Sequence, residues 1–128
     1  MPKNENGKKG EDFAAKLLSE NGYTVLARNF HSRYGEVDII AQKCDIIAFV
    51  EVKTRAKNSW DTAAGAVTRS KQHKLILAAQ YYLMTHKLDL IPRFDVIAIT
   101  TEDSKSFNVA CYDHFEGAFD LNVQNGFY

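Results

Sequence analysis

Two stretches of alternating polar and apolar residues decide the fold of this chain: Gly35-Glu36-Val37-Asp38-Ile39-Ile40 and Phe49-Val50-Glu51-Val52-Lys53-Thr54-Arg55. Alternation at period two predicts a pair of half-buried β-strands. The charged residues lie between Val, Ile and Phe, so the acids are expected beside an apolar sheet face. Carboxylates grouped against a core need a partner, which is either a cation or a metal.

The separation of the two stretches predicts how the strands pair. With a two-residue turn at Cys44-Asp45, Asp38 lies opposite Glu51 and Glu36 lies opposite Lys53. Opposite residues project from one face with Cβ atoms about 4.5–5.5 Å apart. One face is then a candidate site and the other face is core. Cys44-Asp45 is not a favoured turn sequence, so another loop stays open, and a slip by one residue would separate the acids.

Length and composition predict one globular domain over residues 1–128. The chain has 45% hydrophobic and 25% charged residues and a formal net charge of zero, so nucleic-acid binding would depend on local clusters of charge. Its two cysteines lie far apart and predict a reduced, cytoplasmic protein without disulfides. The sequence has no stretch typical of a signal peptide or a membrane span, so no membrane partner is expected.

Hydrophobic periodicity predicts the element order helix, strand, strand, strand, helix, strand, strand. Residues 1–9 are expected to be a flexible tail, and residues 106–112 are the less regular of the late strands. Two main helices flanking one mixed sheet of about five strands give an α/β fold class. The predicted helices are residues 10–21, stopped by Gly22, and residues 69–86, capped by Thr68; the other strands are residues 23–29 and 94–100, and a short helix or turn follows from His114.

The polar residues of the two central strands are a set suited to metal-assisted hydrolysis of a phosphodiester. Mg²⁺ or Mn²⁺ would take Asp38 and Glu51 as carboxylate ligands and the backbone carbonyl of Val52 as a further ligand. Lys53 projects on the same side as Glu51 and could orient the attacking water or stabilise developing charge. An ion-paired sheet face without metal, with Glu36 bound to Lys53, is the open alternative.

Basic residues cluster between Lys53 and Lys74, where Asp61 is the only acid. Such a cluster suits a phosphate backbone. Trp60, inside this segment, could stack on a base or anchor a loop to the core. The predicted nucleic-acid-binding residues are Arg55, Lys57, Arg69, Lys71 and Lys74.

Glu11 projects near the apolar stripe of the first helix, from its first turn. An acid at this position often does no more than complement the helix N-terminus. Its position next to the apolar stripe leaves a role at a site open as well.

Several of these motifs together resemble the YraN-like family of small predicted bacterial endonucleases, over roughly residues 8–120. That family is similar to archaeal Holliday junction resolvases, and the resemblance implies the restriction-endonuclease-like fold with a PD-(D/E)xK site. The motifs are Gly10-Glu11, Arg28-Asn29, the two central stretches, the helix bearing Ala78, Tyr82 and Leu83, and Arg93-Phe94-Asp95-Val96.

The resemblance also implies roles for single residues. Asp38 and Glu51 would be metal ligands, Lys53 the catalytic lysine, and Glu11 an acid that reaches the same site, while Val37 replaces the proline of the motif. The implied activity is metal-dependent cleavage of DNA, and the analogy with resolvases adds branched substrates and a homodimer. Two alternatives stay open: a module of the same fold that binds nucleic acid without cutting it, and a protein-interaction domain.

Overall fold

The computed structural model describes residues 5–58 and 67–119, in which one five-stranded sheet lies between two helices. The predicted order of elements is confirmed. No helix in these two ranges is long and apolar enough to cross a membrane. The elements are α1 (Glu5–Glu20), β1 (Thr24–Ser32), β2 (Gly35–Lys43), β3 (Ile46–Ala56), α2 (Arg69–His86), β4 (Ile91–Thr101) and β5 (Val109–Phe119).

The sheet is mixed, as predicted, and its strands follow one another in chain order. β3 and β4 are parallel, and every other neighbouring pair is antiparallel. Parallel neighbours need a crossover connection, and α2 lies within that connection. The crossover places α2 on one face of the sheet, while α1 covers the other face.

The predicted hairpin register is confirmed in the regular part of the β2–β3 ladder. Pairing runs from Lys43 opposite Ile46 to Ile39 opposite Val50. The turn is formed by Cys44 and Asp45, and Cys44 has the left-handed φ of 55°. Strained turn chemistry therefore does not move the strands out of the register that their hydrophobic pattern favours.

Along the regular ladder the predicted contrast between a core face and a site face is not found, because both faces of the hairpin are buried there. Ile40 and Phe49 pack beneath α2, on the face predicted to carry the acids. Ile39 and Val50 pack on the opposite face, beneath α1. The helix that crosses from β3 to β4 covers the middle of the face that carries the acids.

The sequence signals for the end of α1 and for the start of α2 are both confirmed. At the end of α1, Gly22 has a φ of 90°, and the N–H of Tyr23 donates to the Leu18 carbonyl at 3.0 Å, the bond that defines a Schellman motif. At the start of α2, the Thr68 hydroxyl accepts from the N–H of Lys71 at 3.1 Å. The helix boundaries nearest the predicted site are therefore set by local chemistry.

Two segments differ from the predictions at the ends of the chain. Residues 5–9 belong to α1 rather than to a flexible tail. Residues 114–119, predicted as a short helix or turn, continue β5, where His114 pairs with Ile97 and Phe119 with Phe94. Most side chains along β5 are exposed or half-buried, so its apolar signal is weak and the strand depends on pairing with buried β4. Trp60 and Phe127 lie outside the described residues.

A buried aspartate ties β4 to β5 and to the start of β1. Asp95 Oδ1 accepts from Arg93 Nε at 2.9 Å and from the Gly117 N–H at 3.0 Å, and its Oδ2 lies 2.8 Å from His114 Nε2. Arg93 also donates to the Tyr23 hydroxyl. Burial alone would raise the pKa of the Asp95 carboxyl, but the hydrogen bonds from His114, Arg93 and Gly117 outweigh it and lower the pKa.

We expect Asp95 to stabilise the fold above its unfolded-state pKa and to lose that effect in acid. Because its pKa is lower in the folded state than the ordinary 3.8, the unfolded state binds the proton first and stability falls as pH drops through the folded-state pKa. Asp95→Asn should lower the free energy of unfolding by about 1–3 kcal/mol at neutral pH and flatten its decline below pH 4. Urea unfolding across pH tests this, with exposed Asp113→Asn as control; an unchanged acid slope in Asp95→Asn would contradict it.

Gly10 lets α1 approach the outer half of β3. A Cβ built on Gly10 would overlap the Thr54 hydroxyl and would lie 3.3 Å from Thr54 Cβ. Both Gly10 and its neighbour Glu11 are buried. Because no other residue lacks a Cβ, this close approach is what brings the Glu11 side of α1 against β3.

Gly10→Ala should destabilise the protein by about 1–3 kcal/mol through overpacking, despite the better helix propensity of alanine. Thr54→Ala removes the hydroxyl that the new methyl would overlap, so the double variant should recover most of the loss. Thermal unfolding of the four proteins forms a double-mutant cycle. Additive effects of the two substitutions would show that the contact does not limit the approach of α1.

Candidate functional site

The sheet forks where β2 and β3 stop pairing regularly. One residue beyond the last regular pair, Asp38 Oδ2 accepts a hydrogen bond of 2.8 Å from the backbone N–H of Val52. A side-chain carboxylate thus takes the position that a backbone carbonyl would have in a continued ladder. The strands separate around a cavity of about 660 Å³, here called the fork cavity. Its charged lining residues are Glu36, Asp38, Glu51, Lys53, Lys71 and Lys74.

Two buried carboxylates lie side by side at the base of the fork cavity. Asp38 is 7% exposed and Glu51 is 5% exposed. Burial and the neighbouring Asp38 charge raise the pKa of Glu51 to about 7, even though Lys71 acts to lower it. The predicted meeting of Asp38 with Glu51 therefore exists, and a raised carboxyl pKa such as that of Glu51 is common at functional sites.

A lysine from α2 compensates the carboxylate pair. Lys71 Nζ lies 2.5 Å from Glu51 Oε2. Burial lowers the pKa of the Lys71 ammonium, but the carboxylates of Glu51, Asp38 and Glu36 outweigh burial and raise it. Lys71 lies in the first turn of α2, which the Thr68 cap fixes. The sequence predicts Lys71 as a nucleic-acid-binding residue. It does not predict the contact with Glu51, because that contact joins a helix to a strand and no local sequence pattern indicates it.

Lys53 and Glu36 also line the fork cavity, on different strands. Regular pairing ends before it reaches them, so the predicted cross-strand geometry does not extend that far. Glu36 is exposed, and its Oε1 lies 3.1 Å from His31 Nδ1. Glu36 is thus held at the rim by β1, while Lys53 lies two residues beyond Glu51 on the same strand.

Glu11 occupies a neighbouring cavity. Its side chain is buried, and it lines a space of about 370 Å³ with Arg55 and Thr101. This second cavity shares Val52 and Thr54 with the fork cavity. Glu11 therefore approaches β3 beside the carboxylate pair, and its role in the same site stays a prediction.

The predicted nucleic-acid-binding residues do not form one patch. Lys71 and Lys74 line the fork cavity, whereas Arg55 lines the cavity of Glu11. Lys57 lies 3.3 Å from Glu102 in an exposed ion pair. Arg69 lies in the first turn of α2. Of these five residues, Lys71 and Lys74 lie together, on the α2 wall of the fork cavity.

The anionic donor atoms of the fork cavity are the carboxylate oxygens of Glu36, Asp38 and Glu51, and oxygen is the ligand type that Mg²⁺ and Mn²⁺ prefer. Across residues 5–58 and 67–119, no three side chains from Asp, Glu, His and Cys form a cluster that could hold a metal ion. Mg²⁺ needs only one or two carboxylates and completes its shell with water and substrate. The N–H and C=O of one strand residue face the same edge, so the Val52 carbonyl faces the same side as its bond to Asp38.

These features define a small α/β domain with a mixed sheet that forks around acidic and basic side chains. The chain belongs to the Uncharacterised protein family UPF0102, whose family model matches residues 10–99. The predicted family is thereby confirmed. Membership does not by itself establish an activity, because function depends on the site and not on the fold.

Bacterial relatives resemble the chain over nearly its whole length. A UPF0102 protein of Chloroherpeton thalassium is 47% identical over 118 residues, which cover 88% of this chain and 92% of the relative. A UPF0102 protein of Saccharophagus degradans is 43% identical, with 93% and 96% covered. One from Myxococcus xanthus is 36% identical, with 93% and 92% covered.

The electrostatic coupling in the fork cavity predicts that two substitutions change the pKa of Glu51 in opposite directions. Asp38→Asn removes a negative neighbour and should lower the pKa of Glu51 from about 7, while Lys71→Met removes the bound ammonium and should raise it. Carboxyl carbon chemical shifts followed by NMR against pH, in the presence of a chelator, measure both. Lys74→Met is the matched control from the same helix, and an equal shift in that variant would refute a specific Lys71–Glu51 pair.

Proposed function

We propose that this protein is a metal-dependent DNA endonuclease that hydrolyses phosphodiester bonds in the fork cavity. The observation that carries the proposal is the burial of Asp38 and Glu51 side by side in a cavity that lysines also line. A purely structural ion pair, such as that of Asp95 with Arg93, needs no open space beside it, whereas these carboxylates line a cavity large enough for a phosphate group. The family resemblance points to the same chemistry.

Asp38, Glu51 and the Val52 carbonyl are the groups that would hold Mg²⁺ or Mn²⁺. When bound, such an ion polarises a phosphoryl oxygen and lowers the pKa of a coordinated water. Asp38 is oriented for this role by the Val52 N–H, which fixes one of its two oxygens. A bond of this kind orients a ligand carboxylate from outside the coordination shell.

The lysines supply positive charge to the phosphate. Lys53 follows Glu51 on β3, where it would stabilise charge that develops during attack or orient the water. Lys71 and Lys74 approach from α2, on the opposite wall. Since the whole chain has a net charge of zero, this local arrangement, and not bulk attraction, would bring a phosphate backbone to the carboxylates.

A module of the same fold that binds nucleic acid without cutting it is the second candidate. The Lys71–Glu51 contact of 2.5 Å favours it, because an ammonium already compensates the buried carboxylate. The two functions differ in one requirement: only the nuclease needs an ion to displace or supplement that ammonium.

We expect Mg²⁺ or Mn²⁺ to bind the wild-type protein and to bind neither Asp38→Asn nor Glu51→Gln. The reason is that each substitution removes an anionic oxygen donor but keeps the side-chain shape. Isothermal titration calorimetry with each ion measures binding, and Glu102→Gln, an exposed acid paired with Lys57, is the control. Equal ion binding by all four proteins would remove the carboxylate pair from consideration.

Cleavage is tested on single-stranded, duplex, flapped and four-way DNA with and without Mn²⁺. We expect a chelator and Glu51→Gln to abolish products, and Lys53→Met to reduce the rate about a hundredfold or more, as for loss of a group that stabilises developing charge. Lys53→Arg should retain part of the rate. Salt-sensitive DNA binding without metal-dependent products would establish the non-cutting alternative instead.

A further inference from the structure

An aromatic and basic surface borders the fork cavity where the β1–β2 turn crosses α2. It consists of Arg33, Tyr34, Lys74 and Tyr81 and is called here the stacking surface. The rings of Tyr34 and Tyr81 lie 5.8 Å apart between centroids, at 57° to each other. The Arg33 guanidinium carbon lies 5.0 Å from the Tyr34 ring centroid, and its Nη2 donates to the Tyr34 hydroxyl at 2.9 Å. Tyr81 is 37% exposed, so part of its ring is accessible to a ligand.

The stacking surface is continuous with the fork cavity. Gly35 and Lys74 line the cavity, and a Cβ on Gly35 would lie 3.1 Å from Lys74 Cβ, so the turn lies directly on the helix. Tyr34 precedes Gly35, and Tyr81 follows Lys74 by seven residues, which places both α2 residues on one helix face. Lys71 and Tyr81 are ten residues apart, a distance of roughly 15 Å along the helix, about the rise of four stacked nucleotides.

We propose that the stacking surface binds unpaired nucleotides of the DNA strand whose backbone enters the fork cavity. The inference rests on the proposed function, since it specifies that the DNA bound at the same site is single-stranded. Aromatic rings next to cations are the combination that binds single strands, because each base offers a π-face and each nucleotide a phosphate. A duplex keeps its bases stacked inside and would use only the cations.

The position of the charges also favours single-stranded DNA over an apolar partner as the ligand of this surface. Arg33 is exposed at the outer end of the surface and Lys74 at the inner end. Phe30 packs on Tyr81 with ring centroids 6.5 Å apart, so Tyr81 is held by Phe30 and Tyr34 while it stays 37% exposed. A partly exposed ring in a surface that also carries Arg33 and Lys74 can stack on a base while the cations contact phosphates.

The test is fluorescence anisotropy of full-length protein with labelled single-stranded and duplex DNA of equal length, in a chelator and at fixed salt. Tyr81→Leu should weaken single-strand binding about tenfold, leave duplex binding within twofold, and leave the packing on Phe30 largely intact. Tyr81→Phe keeps the ring and should bind like the wild type. Tyr112→Leu is the matched control, because Tyr112 is also exposed, at 46%, but packs on Phe13 at the α1 layer.

The inference is overturned if Tyr81→Leu binds single strands as tightly as the wild type, if Tyr81→Phe loses as much as Tyr81→Leu, or if duplex binding falls equally. If Tyr81→Leu fails to fold, as judged by circular dichroism, the pair Tyr34→Leu and Tyr34→Phe is measured by the same criteria. Binding in chelator is independent of cleavage. A preference for single strands that depends on Tyr81, without any metal-dependent product, sustains this inference and refutes the nuclease. Metal-dependent cleavage that Tyr81→Leu leaves unaffected supports the nuclease and overturns this inference.

Discussion

The hydrogen bond from the Val52 N–H to the Asp38 carboxylate lies where β2 and β3 stop pairing and the polar site begins. It satisfies a backbone donor that would otherwise lie buried without a ladder partner. Because the acceptor is a side chain, β2 can turn away from β3 without an energetic penalty for that donor. The separation of the strands, the burial of Glu51 beside Asp38 and the fork cavity all follow from this replacement.

Buried negative charge is then the main electrostatic constraint on the molecule. Two adjacent carboxylates in a poorly hydrated space cannot both ionise at little cost. The protein meets this cost with Lys71, which α2 delivers from its capped first turn. At the opposite side of the sheet, the charge of the fully buried Asp95 is compensated differently, by a bidentate arginine, a histidine and a backbone N–H. Asp95 is held by several partners at once. Glu51 keeps the single ammonium of Lys71, which the ion of the proposed function could replace.

The sequence was informative where the interactions are local. The β2–β3 register follows from strand alternation and the two-residue turn, and the limits of α2 follow from its apolar period and Thr68. The meeting of Asp38 with Glu51 could be deduced from that register. The Lys71–Glu51 pair, the covering of the acid-bearing face by α2 and the full length of β5 could not, because each depends on elements distant in the chain. Tertiary pairing overrides local pattern in such places.

The range of sequence separations within the site also bears on how it assembles. Asp38 and Glu51 are brought together by a tight hairpin, which closes in microseconds when isolated. Parallel pairing of β3 with β4, by contrast, joins residues more than forty positions apart, such as Glu51 and Val96, and such pairing is intrinsically slow. We therefore expect the two acids to meet while still hydrated and to become buried only when the crossover helix docks. Folding of this domain would then include a late desolvation step, and the lysine that offsets it would arrive on the same helix that removes the water.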